Sequence, residues 1–145
     1  MKINVTIEID DNELKKLFKI EEYPKNSIGE SDDLSQYAKV FCDGCVGWTK
    51  EQEYNLKFLK YIQNYCNDLL KTKGHLFLNE VYDMLGIPRT KAGAVVGWIY
   101  DKNSPIGDNF VDFGITNELN SDFVNGYTCD CILDFNVDGY ILDYI

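Results

Sequence analysis

AVVGWIY, residues 94–100, is the point where the apolar residues of this chain stop recurring at helical spacing and run together. Val, Ile, Trp and Tyr suit a pleated, half-buried surface better than a helix. Two stretches of the same character follow, NFVDFGI at 109–115 and TCDCILDF at 128–135, set apart by Asn, Gly, Asp and Pro. Together they predict an antiparallel sheet over residues 94–145.

Upstream, the pattern is helical. Asn79 can cap a short helix, EVYDMLG, that ends at Gly86 before Pro88. The strongest helix opens at Thr49, where Thr49 and Gln52 match a capping box. Phe58, Leu59, Ile62, Tyr65, Cys66, Leu69 and Leu70 then recur at three and four, and Gly74 stops the run after Lys71 and Lys73. Leu34, Tyr37, Ala38 and Phe41 predict another helix over 31–41. Residues 21–31 (EEYPKNSIGES) read as a linker. Residues 2–9 alternate strictly, with Ile3, Val5, Ile7 and Ile9 on one side, which predicts a strand. Asp10, with Glu13 three residues on, caps a helix burying Leu14, Leu17 and Phe18. The expectation is a single α+β domain over 1–145: a βα arm at 1–20, a helical part at 31–86 and an antiparallel β part at 94–145. The helices pack on the sheet, and the N-terminal strand joins its edge.

Charge is distributed unevenly. From Asp101 onward there are nine acids and one base, a net charge of −8 out of −10 for the chain. With clustered Lys and Arg lacking, binding to a phosphate backbone is disfavoured. The start, MKINVTIEIDDNELKK, has no apolar signal core, and no run approaches the roughly 18 apolar residues of a membrane span. This predicts a cytoplasmic protein that does not enter a membrane, whose five cysteines are thiols rather than disulfides.

Several motifs invite a metal. In DFNVDGYILDYI, Asp134, Asn136, Asp138 and Gly139 fall on positions 1, 3, 5 and 6 of a calcium loop. Position 9 is Leu142 and position 12 is Ile145 where a Glu belongs, so a tight Asp-Gly turn between two strands is the better expectation. In DKNSPIGDNFVDFG, Asp101, Asn103, Asp108, Asn109 and Asp112 lie close in sequence, but Pro105 and Ile106 break the template and no His joins them. Asp and Asn side chains that satisfy their own backbone explain that stretch more simply. Cys42 and Cys45 (CDGC) have zinc-knuckle spacing and, with Cys129 and Cys131, could complete a four-thiolate zinc site. A Cys-x-Cys is a poor partner for such a pair, and no thioredoxin-like context supports redox chemistry. The expectation is a chain without a cofactor.

No nucleophile elbow, phosphate loop or zinc-protease motif is present, and His75 is the only histidine. The glycines of GAVVG, Gly93 and Gly97, read as close-packing positions. LNEVYDMLGIPRTKAGAVVGWIY looks like a helix-turn-helix with Arg89, Thr90 and Lys91 heading a recognition helix. Gly93, Val95, Val96, Gly97 and Ile99 are poor helix formers, which favours a helix packed on a sheet instead.

The segments VYDMLGIPRT, VVGWIYD, GDNFVDFGI, DFVNGY and LDFNVDG resemble a family of small uncharacterised proteins from phages and integrative elements of Gram-positive bacteria. The resemblance covers about half of the chain and implies an accessory gene on a mobile element. With no catalytic motif in the chain, the expected function is not enzymatic. It is protein–protein binding, in which Asp101, Asp108, Asp112, Asp122, Asp130, Asp134, Asp138 and Asp143 present an acidic surface to a basic host or defence protein. Small acidic phage inhibitors of nucleases, anti-CRISPR proteins among them, are similar in size and charge. A metal- or small-ligand-binding protein using the Asp-rich loops and a DNA-binding regulator are the alternatives.

Overall fold

One buried stripe organises the longest helix. In α1 (Gln52–Lys73), Asn55, Leu59, Ile62, Cys66 and Leu70 are buried at steps of four, three, four and four. A computed structural model describes residues 34–145. The strand expected at 2–9, the helix capped by Asp10 and the linker at 21–31 lie outside the described residues. Phe41–Ile145 forms one compact unit.

The remaining elements are β1 (Lys39–Phe41), β2 (His75–Phe77), α2 (Leu78–Leu85), β3 (Val96–Ile99), α3 (Ser121–Val124), β4 (Cys131–Leu133) and β5 (Gly139–Tyr140). Single 3₁₀ turns occupy 92–94, 118–120 and 142–144. The architecture is α+β, with three α-helices among the described residues and two small sheets, of two and three strands. No described helix is long and apolar enough to cross a membrane.

The three-stranded sheet is built around β3. Gly74 ends α1, its N–H donating to the Leu70 carbonyl at 2.8 Å, and the chain turns directly into β2. β2 runs antiparallel to β3 with His75 opposite Ile99, Leu76 opposite Trp98 and Phe77 opposite Gly97. On the other side β5 runs antiparallel to β3, pairing Val96 with Tyr140 and Gly97 with Gly139. All four residues of β3 are buried. Gly93 and Gly97 are the close-packing positions that the sequence suggests. A Cβ on Gly97 would strike the Leu76 carbonyl and come within 2.8 Å of the Phe77 Cα, while one on Gly93 would strike the Asn79 side chain. In the core, Phe135 makes edge contacts with Tyr82 at 5.7 Å and with Phe113 at 5.3 Å between centroids.

Five expectations are corrected. Over the described part of 31–41 the chain is a turn followed by β1, not a helix. Ser35 takes the Tyr37 N–H with its hydroxyl at 3.1 Å, so the backbone bond that would start a helix is made by a side chain. Phe41 then stacks on Phe58 at 6.0 Å in the core. Thr49 does not cap α1 through Gln52. Its hydroxyl accepts from the Glu51 N–H at 3.0 Å and its own N–H donates to Asn55 Oδ1 at 2.8 Å, so α1 begins without a side-chain cap.

Asn79 does not cap α2, which starts two residues earlier than expected, at Leu78, where Glu80 Oε2 accepts from the Phe77 N–H at 3.0 Å. Asn79 instead brackets Thr90, accepting from its N–H at 3.0 Å and donating to its carbonyl at 2.9 Å. That bracket, with Gly93 N–H donating to Thr90 Oγ1 at 2.9 Å, leaves one 3₁₀ turn and then β3 where a recognition helix would stand. Arg89 pairs with Asp83 through both ends of its guanidinium, at 3.0 and 2.7 Å.

The C-terminal Asp-Gly turn does not join two paired strands either, because β5 pairs with β3 rather than with β4. NFVDFGI, finally, is irregular chain between a bend at Asn109–Phe110 and a turn at Ile115, not a strand. Its backbone is held by side chains of α1, with Asn67 accepting from Val111 N–H at 2.8 Å and Gln63 from Phe113 N–H at 2.8 Å. Amide side chains take these two N–H groups, while the Phe113 and Asp112 carbonyls accept from the Asp134 and Asn136 N–H groups at 2.9 and 3.2 Å.

Candidate functional site

Two neighbourhoods gather the residues singled out by the sequence. The first is centred on Asn136, which follows Phe135 out of the core. Its Oδ1 accepts from the buried Trp98 indole at 2.8 Å and from the Asp112 N–H at 2.7 Å. Its Nδ2 donates to Asp108 Oδ2 at 2.9 Å and to the Phe110 carbonyl at 3.0 Å. An asparagine with all four positions occupied is a structural clasp, and its oxygen is spent.

The carboxylates around it are engaged in the same way. Asp101 Oδ1 accepts from the N–H groups of Asn103 and Ser104, both at 3.0 Å. Asp112 Oδ1 accepts from Gly114 N–H at 2.8 Å. Asn109, at a positive φ of 65°, holds the Asp101 backbone from both sides, at 3.1 Å each. Asp138 Oδ2 accepts from Ile99 N–H at 2.8 Å while its own N–H donates to the Gly97 carbonyl at 2.8 Å, so it stitches the loop to the central strand. Asp108 and Asp112 are thus brought to the Asn136 clasp, and Asp138 neighbours Asp108. Asp122 and Asp143 stand exposed on α3 and on the last 3₁₀ turn, and Asp134 is half-buried beside Phe113.

Among the described residues, no group of three or more His, Cys, Asp and Glu is placed to hold a metal ion. Asp134, Asn136 and Asp138 are not arranged as a calcium loop, since Asn136 and Asp138 direct their oxygens at Trp98, Asp112 and Ile99. Cys129 and Cys131 do not join Cys42 and Cys45 in such a group.

Burial pushes the Asp138 carboxyl above the ordinary range, and the Ile99 N–H pulls it partly back. A carboxyl whose folded pKa is raised binds its proton more tightly when folded, so its contribution to stability is lost as pH rises through that pKa. Asp138→Asn keeps an oxygen for Ile99 and removes the titration. Wild type should therefore fare better against Asp138→Asn at about pH 4 than at about pH 7. Urea unfolding of both proteins at the two pH values checks the sign, and an advantage that grows with pH would refute it.

The second neighbourhood surrounds the CDGC turn. Trp48 donates its indole N–H to the Cys129 carbonyl at 3.1 Å and to Asp130 Oδ1 at 3.0 Å. Fully buried Asn55 donates to the carbonyls of Thr49 at 2.9 Å and Cys129 at 3.0 Å. Cys42 and Cys45 lie in the turn that these contacts anchor, with Asp43 and Asp130 as the neighbouring charges. Burial raises the Asp130 carboxyl, the Trp48 bond lowers it, and Asp43 raises it again.

Asn55, Asn120 and Asn136 went unread in the sequence as organising residues. Asn120 grips Ile132 from both sides, accepting from its N–H and donating to its carbonyl, each at 2.7 Å. No spacing betrays them, because each also bonds across a long stretch of chain, up to 74 residues from Asn55 to Cys129. No curated protein and no solved structure matches the chain. Over residues 4–145 the sequence matches the model of a family of unknown function, DUF6353, so the match takes in the first half as well as the segments from Val81 onward, and the chain belongs to that family.

Proposed function

We propose that this is a small acidic accessory protein of a phage or integrative element of Gram-positive bacteria. It acts in the host cytoplasm by binding a basic surface of a host or defence protein, as a nucleic-acid mimic that inhibits a nuclease would. The observation that supports this reading is the unbalanced charge left on the outside of the C-terminal segment. Glu118, Asp122 and Asp143 are exposed, and no carboxylate of the three accepts a hydrogen bond or forms an ion pair among the described residues. The ion pairs among those residues, Glu53–Lys57, Lys73–Glu80 and Asp83–Arg89, all lie before the acidic block. Exposed aromatic rings accompany the charge, with Tyr127 at 81%, Tyr140 at 53% and Tyr144 at 56% relative exposure. Tyrosine beside carboxylate supplies contact area together with electrostatic steering, the combination that such an interface uses.

Immobilised wild type and a Glu118→Gln/Asp122→Asn/Asp143→Asn variant would be loaded with Gram-positive host lysate and eluted with rising NaCl. The three changes touch no internal bond among the described residues, so the variant should fold normally. Captured protein should leave wild type between about 50 and about 300 mM salt, as screening requires, and should leave the variant earlier. Capture that ignores both salt and the three substitutions would overturn the reading.

A further inference from the structure

We propose that Cys42 and Cys45 form a reversible dithiol–disulfide site that reacts with small-molecule or protein disulfides. The inference goes beyond the binding reading above and does not depend on it. The backbone carries it. Cys45 N–H donates to the Cys42 carbonyl at 2.9 Å, closing a turn with Asp43 and Gly44 at its centre. Gly44 sits at φ 106°, a conformation such a turn reserves for glycine, with nothing within 4 Å of where a Cβ would be. A β-turn holds its first and fourth Cα atoms within about 7 Å, which overlaps the roughly 4.4–6.8 Å that disulfides span. The Cys42 thiol already donates to the Cys45 sulfur.

The turn is clamped on its far side. Val46 N–H donates to the Leu85 carbonyl at 3.0 Å, and Gly47 lies so close to the Phe58 ring that no Cβ would fit. A pair held this way can close a bond without refolding the loop. Both cysteines are partly exposed, so a reagent can reach them.

The two sulfurs have different roles. Cys42's hydrogen bond favours the Cys45 thiolate, holding Cys45 below the ordinary thiol range against burial and against the charges of Asp130 and Asp43. The same bond, with burial, raises Cys42. Cys66 and Cys131 are buried, and burial pushes each up to about 12, so they are slow thiols. In the reaction the Cys45 thiolate attacks one sulfur of a disulfide RSSR, forming Cys45–S–S–R and releasing RS⁻, which is protonated. Cys42 then gives up its proton, and its sulfur attacks the Cys45 sulfur, expelling the second RS⁻. Two protein thiols are oxidised by two electrons, and RSSR is reduced to two RSH.

The test uses the full chain in glutathione buffers of increasing oxidised fraction, quenched with acid, alkylated with N-ethylmaleimide and mapped by mass spectrometry. The first change should be the paired loss of alkylation at Cys42 and Cys45, with a peptide linking the two. Cys42→Ser should stall as a glutathione adduct on Cys45. Cys45→Ser should give no intramolecular disulfide and leave at most a glutathione adduct on Cys42. Five alkylated thiols in the most oxidising buffer, or a first disulfide that includes Cys129 or Cys131, would each overturn the assignment.

Discussion

Gly97→Ala should destabilise the protein by on the order of 3 kcal/mol, the upper end of what overpacking does. The position is the crossing point of the three-stranded sheet, opposite Phe77 on one side and Gly139 on the other. The atoms that a Cβ would meet belong to the backbone of β2, the Leu76 carbonyl and the Phe77 Cα. Side chains can swing away from a new methyl group, but a strand paired in register cannot. β3 has no free edge by which to shift, because Asp138 also holds its Gly97 carbonyl and its Ile99 N–H. The comparison is Gly139→Ala, its neighbour in the ladder, where nothing lies within 4 Å of a Cβ but φ is 118°. Only backbone strain acts there, worth about 1–2 kcal/mol. Guanidinium unfolding of the two variants separates the mechanisms, and equal losses would show that steric contact with β2 is not what Gly97 avoids.

Trp98→Ala should be at least as damaging, at about 3–5 kcal/mol, the range for emptying a buried aromatic site. Trp98 is fully buried opposite Leu76, and its indole N–H holds Asn136 at 2.8 Å. Removing the ring opens a cavity behind β3 and frees the residue that gathers Asp108, Phe110 and Asp112. Trp98→Phe should fill most of the space and lose mainly the hydrogen bond, about 1 kcal/mol, since Asn136 Oδ1 retains the Asp112 N–H. A cycle of Trp98→Phe and Asn136→Ala should show coupling of about 0.5–3 kcal/mol. Strict additivity would mean that the Trp98–Asn136 contact contributes nothing to the fold.

Both positions explain why the acidic C-terminal segment reads ambiguously as sequence. Asp and Asn are metal ligands, recognition groups and backbone caps, and the three uses share one composition. In the structure five of the nine acids of the block are consumed locally or structurally: Asp101 and Asp112 hold N–H groups two or three residues on, Asp138 holds β3, Asp130 holds Trp48 and Asp108 holds Asn136. The acids left for a partner are fewer than the charge count suggests, with Glu118, Asp122 and Asp143 the clearest.

What the sequence determined by itself is what short-range physics controls. The apolar stripe of α1, its stop at Gly74, the helix ending at Gly86 and the strand character of Val96–Ile99 follow from periodicity, capping and side-chain shape within a few residues. The turn chemistry of Asp101 and Asp112 is equally local. Tertiary structure decided the rest. NFVDFGI has strand composition, yet its N–H groups go to Asn67 and Gln63, 44 and 50 residues back on a helix. The CDGC turn is anchored through Trp48 and Asn55 to Cys129, 81 and 74 residues ahead. A buried N–H must find an acceptor, but composition does not say whether that acceptor is a neighbouring strand or a distant amide. Only the packing of α1 against the C-terminal segment makes that choice.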